Sequence, residues 1–125
     1  MMRDLIKATK ALSDETKLRM VNLLLERECC VCEVMQALGI SQSKASRGLS
    51  ALYDADFLKM RKDGLWSLYS IDREGSQIYQ SQLIEAVKEA LKNNKIAEED
   101  RERLRRAERV GPVCARETHA QPSVR

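Results

Sequence analysis

Cys29, Cys30 and Cys32 stand in one short run, Glu28-Cys29-Cys30-Val31-Cys32-Glu33, and the chain's fourth cysteine, Cys114, lies far away in a charged stretch. Clustered thiols can be a ligand set for a soft ion, a redox pair, or small apolar residues by chance. Thiolates select thiophilic ions, and neighbouring thiols can oxidise to a disulfide. Cysteine as apolar filler is common at one position but a poor account of three thiols in four positions. Cys29-x-x-Cys32 is formally a CxxC, yet no strand leads into it within a βαβ unit, the setting a thioredoxin-like motif needs. No cysteine begins a Cys-x5-Arg phosphate loop, no glycine-rich loop is present, and the single histidine, His119, lies near the C-terminus. These absences speak against an enzyme and against an organic cofactor.

The 125 residues predict one domain with a modest core, small enough to gain stability by dimerising. There is no apolar run of membrane-spanning length, and Met1 to Lys10 carry no signal-peptide h-region. The expected location is therefore cytoplasmic, with no membrane partner and with thiols kept reduced. Net charge is only +3, so the placement of charge matters more than its total. Lys44, Arg47, Lys59, Arg61 and Lys62 crowd one stretch, interrupted by Asp54 and Asp56.

Helical spacing sets the frame. Leu5, Ile6, Ala8 and Leu12 predict a short first helix. Ser13 reads as an N-cap, with Asp14 and Glu15 in the first turn of a helix running to about Arg27. A third helix, about Val31 to Leu38, buries Val34, Met35 and Leu38 and ends at Gly39. Ser41 caps a fourth, about Gln42 to Asp54. Around its axis Leu49 and Leu52 fall near Ala45, while Ser43, Arg47 and Ser50 fall opposite. Phe57 to Arg61 and Leu65 to Ile71 alternate like strands around Asp63-Gly64, a hairpin signal. A last core helix spans about Arg73 to Asn93, with Ile78, Ile84, Val87 and Leu91 on one stripe. The predicted division is a domain over 1–93 and a charged tail over 94–125. That tail is expected to be partly helical, then disordered beyond Gly111-Pro112.

Two helices joined by Gly39-Ile40-Ser41 and followed by a β-hairpin predict a winged helix-turn-helix, mainly α with a small β-hairpin. The second helix of such a unit enters the major groove, N-terminal residues nearest the bases. The candidate DNA-contacting residues are Gln42, Ser43, Lys44, Ser46, Arg47, Ser50, Arg61 and Lys62. Arg47 can read guanine and the serines can meet bases or phosphates. Lys44 suits phosphate, and Arg61 and Lys62, expected at the hairpin tip, suit phosphate or the minor groove.

Several motifs then resemble one family in order. Ala11-Leu12-Ser13-Asp14-Glu15-Thr16-Lys17-Leu18-Arg19 resembles the second-helix signature of ArsR/SmtB repressors. Cys30-Val31-Cys32-Glu33-Val34 is similar to their Cys-Val-Cys-Asp-Leu metal motif. Ser41 to Leu49 resembles their recognition helix and Arg61 to Tyr69 their wing. The resemblance covers roughly Asp4 to Leu91. It departs at Gly48, where the family usually has histidine, which weakens the expectation of a base contact there.

The resemblance implies a homodimeric transcriptional repressor that binds double-stranded operator DNA through two recognition helices. The first and last core helices would form its interface. It further implies release by an ion held on the Cys-x-Cys pair. The cadmium/lead type adds cysteines from an N-terminal arm, and residues 1–28 hold none. The zinc/nickel/cobalt type uses Asp and His on the last helix, which this chain lacks. As(III) or Sb(III) is thus the implied inducer, and arsenic-resistance genes the implied target. Cys30 and Cys32 are the expected metal ligands. The family's third arsenite ligand falls at Met35, so Cys29 is the nearest substitute and Cys114 a distant one. Because residues two apart on a helix do not face each other, ion binding is expected to unwind or re-angle the start of the third helix. The alternative is a redox-sensing or other-metal-sensing repressor of the same fold.

Overall fold

The computed structural model describes residues 2–74 and 77–109. Six helices and one hairpin follow in order: α1 Met2–Leu12, α2 Glu15–Glu26, α3 Val31–Leu38, α4 Gln42–Asp54, β1 Leu58–Asp63, β2 Trp66–Ile71, α5 Ile78–Leu91 and α6 Lys95–Arg106. The arrangement is a winged helix-turn-helix extended by α6. Expected disorder beyond Gly111-Pro112, and Cys114 itself, lie outside the described residues.

Helix α2 is the hub, in contact with the other five helices and with β2. Its buried run Met20, Val21, Leu23 and Leu24 explains why: an apolar stripe wider than one neighbour can cover must be shared among several. Its N-cap is Asp14, whose carboxylate accepts from the Lys17 amide at 2.9 Å. Ser13, the expected cap, instead turns back onto the Lys10 carbonyl at the end of α1.

The α3–α4 turn follows the sequence closely. Gly39 stands at φ +66, a left-handed conformation that favours glycine. Ser41 caps α4, its hydroxyl accepting from the Lys44 amide at 3.1 Å. Ala45, Leu49 and Leu52 are buried, as their spacing requires. Gly48 is buried too: a Cβ there would lie 2.5 Å from Met20 Cε and 2.6 Å from Met20 Sδ. Position 48 therefore faces α2 rather than DNA, and its missing side chain is a packing matter.

The wing is shifted by one residue from its predicted register. Asp63 pairs with Trp66, Lys62 with Ser67 and Arg61 with Leu68, so the two-residue turn is Gly64-Leu65 rather than Asp63-Gly64. Glycine first, at φ +65, is the pattern of a type II′ turn, which suits the strand twist.

Two features of the C-terminal half go beyond what spacing and composition gave. The stripe on α5 does not act as a unit: Ile84 is buried within the subunit, whereas Ile78 is 78% exposed. And the charged run after Asn94 contains α6, packed on α3 and α2. Composition hid this because its anchors are polar. Asp100 is fully buried and takes a two-pronged bond from Arg19 (Nε to Oδ2 2.7 Å, Nη2 to Oδ1 2.9 Å) and another from Arg103 at 2.6 Å. Asn22 donates to the Ala97 carbonyl at 3.0 Å, and Arg103 Nε donates to the Ala37 carbonyl at 2.7 Å.

Candidate thiol site and nucleic-acid interface

Cys30 is the N-cap of α3, in extended conformation at φ −91, ψ 171. An N-cap side chain turns back over the first turn, and Cys32 sits in that turn. The two sulfurs are 3.4 Å apart and both residues are buried. The premise behind the expected unwinding, that the pair cannot face one ion across a regular helix start, therefore does not hold. It treated Cys30 as helical, and Cys30 lies just outside the helix.

Glu33 completes a capping box in which cysteine takes the usual Ser/Thr place. Its Oε1 accepts the Cys30 amide at 2.9 Å and Arg109 Nε at 3.4 Å, and its Oε2 accepts Arg27 Nη1 at 2.8 Å. Glu33 is only 3% exposed, so two arginines and one amide are what make its burial tolerable. Within the sequence motif Glu33 carried no assigned role. The capping-box spacing was legible, but Arg109, distant in sequence, was not.

Cys29 is placed differently. Its backbone forms an antiparallel bridge with Tyr69 of the wing, N–H to O 3.0 Å one way and 2.8 Å the other. Its thiol donates to the Arg27 carbonyl at 3.4 Å. Among the described residues no three His, Cys, Asp or Glu side chains gather in a metal-binding group. The structure thus brings Cys30 and Cys32 together and does not gather Cys29 into a three-ligand group with them.

Cys29 and Cys30 are both held protonated by their surroundings. Burial, then the Glu33 charge, pushes the Cys29 thiol up to about 12. The hydrogen shared with Cys32, then burial, pushes Cys30 up as well. Both are thiols at neutral pH. Low-pKa, exposed cysteines are the ones that oxidise readily, so this environment disfavours redox sensing.

On α4, Ser43, Lys44, Arg47 and Ser50 are exposed, while Gln42 and Ser46 are half-buried. Lys44 and Arg47 line a shallow hollow with Thr16 and Lys17 from the first turn of α2. Lys17 is a further cation on this face that sequence reasoning missed. Its own helix was legible, but its neighbourhood with α4 was not. On the wing Lys62 is exposed. Arg61 lies on the face of Leu68 and is bound by Glu28, Nη2 to Oε1 2.5 Å and Nε to Oε2 3.1 Å. That bond holds the Glu28 carboxyl below its ordinary value. Neither arginine nor lysine occupies the hairpin tip, which is Gly64-Leu65.

Residues 14–60, from the α2 cap through the start of the wing, match the family model described as "Bacterial regulatory protein, arsR family". The match covers the helix-turn-helix and the thiol-bearing α3, somewhat over a third of the chain. The chain is similar to the Arsenic resistance transcriptional regulator ArsR1 of Pseudomonas putida, 44% identical over 69 residues, which are 54% of each chain. It is also similar to the Arsenical resistance operon repressor of Escherichia coli, 45% identical over 67 residues, 53% of this chain and 57% of that one. A Cadmium resistance transcriptional regulatory protein CadC homolog of Staphylococcus aureus is 40% identical over 72 residues, 57% of this chain and 60% of its own length. The matched region thus spans little more than half of each relative. Among solved structures, HlyU from Vibrio cholerae superposes with a TM-score of 0.61 at 25% identity, covering 71% of this chain and 92% of that one. The matched segment contains both α4 and the Cys30–Cys32 pair.

Proposed function

We propose that the protein is a homodimeric transcriptional repressor released from its operator when As(III) or Sb(III) binds Cys30 and Cys32, and that it controls arsenic-resistance genes. The observation that carries the reading is the 3.4 Å separation of the two sulfurs. Two bonds from sulfur to a soft ion, each ~2.3 Å, easily span it, with no rearrangement of α3. The third position on the ion falls to Cys29, Cys114 or solvent. The matched relatives named for arsenic resistance favour this inducer over cadmium.

DNA binding is assigned to Ser43, Ser46, Arg47 and Ser50 at base edges, with Gln42 beside them. Lys44, Lys17 and Lys62 face phosphate, and Arg61 joins them once phosphate displaces Glu28. Dimerisation is assigned to α1 and α5, which leave Met2, Leu5, Ile6 and Ile78 exposed. Such apolar faces are covered in an assembly more often than left in water.

The test is operator binding by anisotropy, titrated with arsenite, antimonite, cadmium and zinc under a non-thiol reductant. Release by arsenite and antimonite at the lowest concentrations supports the reading, and release by zinc alone refutes it. Release only after oxidation would favour the redox alternative.

A further inference from the structure

Beyond the end of α6 the chain turns extended at Ala107 (φ −72, ψ 145) and runs back across the start of α3. Gln36 grips it with both ends of its amide: Nε2 donates to the Glu108 carbonyl at 2.7 Å, and Oε1 accepts the Glu108 N–H at 3.1 Å. The same Glu108 carbonyl lies 3.9 Å from Cys32 Sγ and accepts its S–H. The next residue, Arg109, bonds Glu33, which also holds the Cys30 amide. The Arg109 guanidinium stands 5.6 Å from the centre of the Trp66 ring, a cation–π distance, and Trp66 closes the wing opposite Asp63. Two consecutive residues, Glu108 and Arg109, thus touch the thiol pair, its supporting carboxylate and the wing strand beside its turn.

We propose that Ala107–Arg109 is a strap that closes over the Cys30–Cys32 pair and carries its occupancy to the wing. The inference rests on reading that pair as the inducer site. In the free protein Cys32 is a donor to the Glu108 carbonyl. When Cys32 binds arsenite, its proton leaves with a hydroxide of arsenious acid as water, and a sulfur–arsenic bond replaces sulfur–hydrogen. The carbonyl oxygen then faces an electron-rich sulfur that no longer donates, and attraction becomes repulsion. The strap can yield cheaply because its grip is a few polar contacts, the main one to exposed Gln36. Its departure takes Arg109 off both Glu33 and Trp66. The wing then keeps its ties to the segment before α3, Cys29 to Tyr69 and Glu28 to Arg61, and loses its tie to the thiol pair itself.

Trp66 is the only tryptophan, and its Nε1 is buried without a hydrogen-bond partner among the described residues. Its fluorescence therefore reports the strap. The experiment uses full-length wild type, Arg109→Ala and Arg109→Lys under a non-thiol reductant. Sodium arsenite is the probe, and a duplex selected in vitro serves as operator. Three quantities are read: protection of Cys30 and Cys32 from alkylation, Trp66 emission, and operator affinity with and without arsenite. In wild type, arsenite should protect the thiols, shift Trp66 emission and weaken operator binding by about tenfold or more, within the usual range of such couplings. Arg109→Ala should keep thiol protection, start with the shifted emission, and retain less than about threefold of the operator response. Arg109→Lys should restore the response, since a cation can still pair with Glu33 and Trp66. Thiol protection with unmoved Trp66 emission, or a full operator response in Arg109→Ala, overturns the strap alone. Absence of thiol protection in wild type overturns the inducer-site reading and the strap with it.

Discussion

Arsenite and divalent ions should respond to pH in opposite ways, and the state of the thiols decides by how much. Cys30 is held protonated by the hydrogen it shares with Cys32 and by burial. A free thiol has a pKa of about 8.5, so an ordinary one is also mostly protonated at neutral pH. A divalent ion binding both sulfurs must therefore expel two protons into water, and its affinity should rise about 100-fold per pH unit below about pH 8, tenfold for each proton. Arsenious acid is neutral and brings its own hydroxides, so each thiol proton leaves as part of a water molecule and none is released. Its affinity should change less than about threefold over the same range, for lack of any net proton exchange. The assay is displacement of labelled operator at about pH 6.5, 7.0, 7.5 and 8.0 and fixed ionic strength, fixed because DNA affinity is salt-sensitive. The sign is that the raised Cys30 pKa and the loss of two protons penalise divalent ions most at low pH, so selectivity for arsenite widens on acidification. An arsenite affinity climbing in parallel with cadmium would refute the argument, since it would mean that arsenite binding also releases protons.

Three further outcomes follow from packing and charge. Glu28→Gln frees Arg61 from its carboxylate, so operator affinity should rise by about two- to fivefold, as for loss of a competing surface pair, and the salt slope should steepen by about one phosphate contact; an unchanged slope would mean that Arg61 never reaches DNA. Gly48→Ala sets a helix-propensity gain of about 1 kcal/mol against an overpacking cost of about 1–3 kcal/mol at Met20, so urea unfolding should show net loss of about 0–2 kcal/mol, relieved when Met20 is shortened in the same chain. Net stabilisation by Gly48→Ala would contradict the close approach of α4 to α2. Asp100→Asn should cost about 2–3 kcal/mol, below the full penalty for breaking a buried pair because Arg19 and Arg103 keep some contact with water, while Glu102→Gln on the exposed pair with Arg105 should cost less than about 0.5 kcal/mol.

The elements legible in the sequence were those fixed by local chemistry. Gly39, Ser41 and the Ala45-Leu49-Leu52 spacing were sufficient for the helix-turn-helix, because a cap and a stripe act within one turn or one helix. The hairpin was legible but its register was not, since Asp63-Gly64 and Gly64-Leu65 are both plausible turns and only the packing of Leu68 selects between them. Helical character after Asn94 was expected, but the packing of α6 was not legible because its attachment depends on Asp100 meeting Arg19, a pairing 81 residues apart in sequence. The thiol pair was visible as Cys30 and Cys32, but their convergence depends on Cys30 standing outside the helix. Cys29 looked equivalent in sequence. An extended strand turns neighbouring side chains to opposite sides, and its backbone is committed to Tyr69.

The most direct measurement is arsenite-driven release of operator DNA by wild type, Cys30→Ser and Cys32→Ser, each first shown to bind the operator without arsenite. The account predicts release from wild type and a loss of at least about 30-fold in arsenite sensitivity for either variant, since losing one of two ligands exceeds the 10- to 100-fold effect of a supporting residue. If either variant released DNA at the wild-type arsenite concentration, the Cys30–Cys32 pair would not be the inducer site.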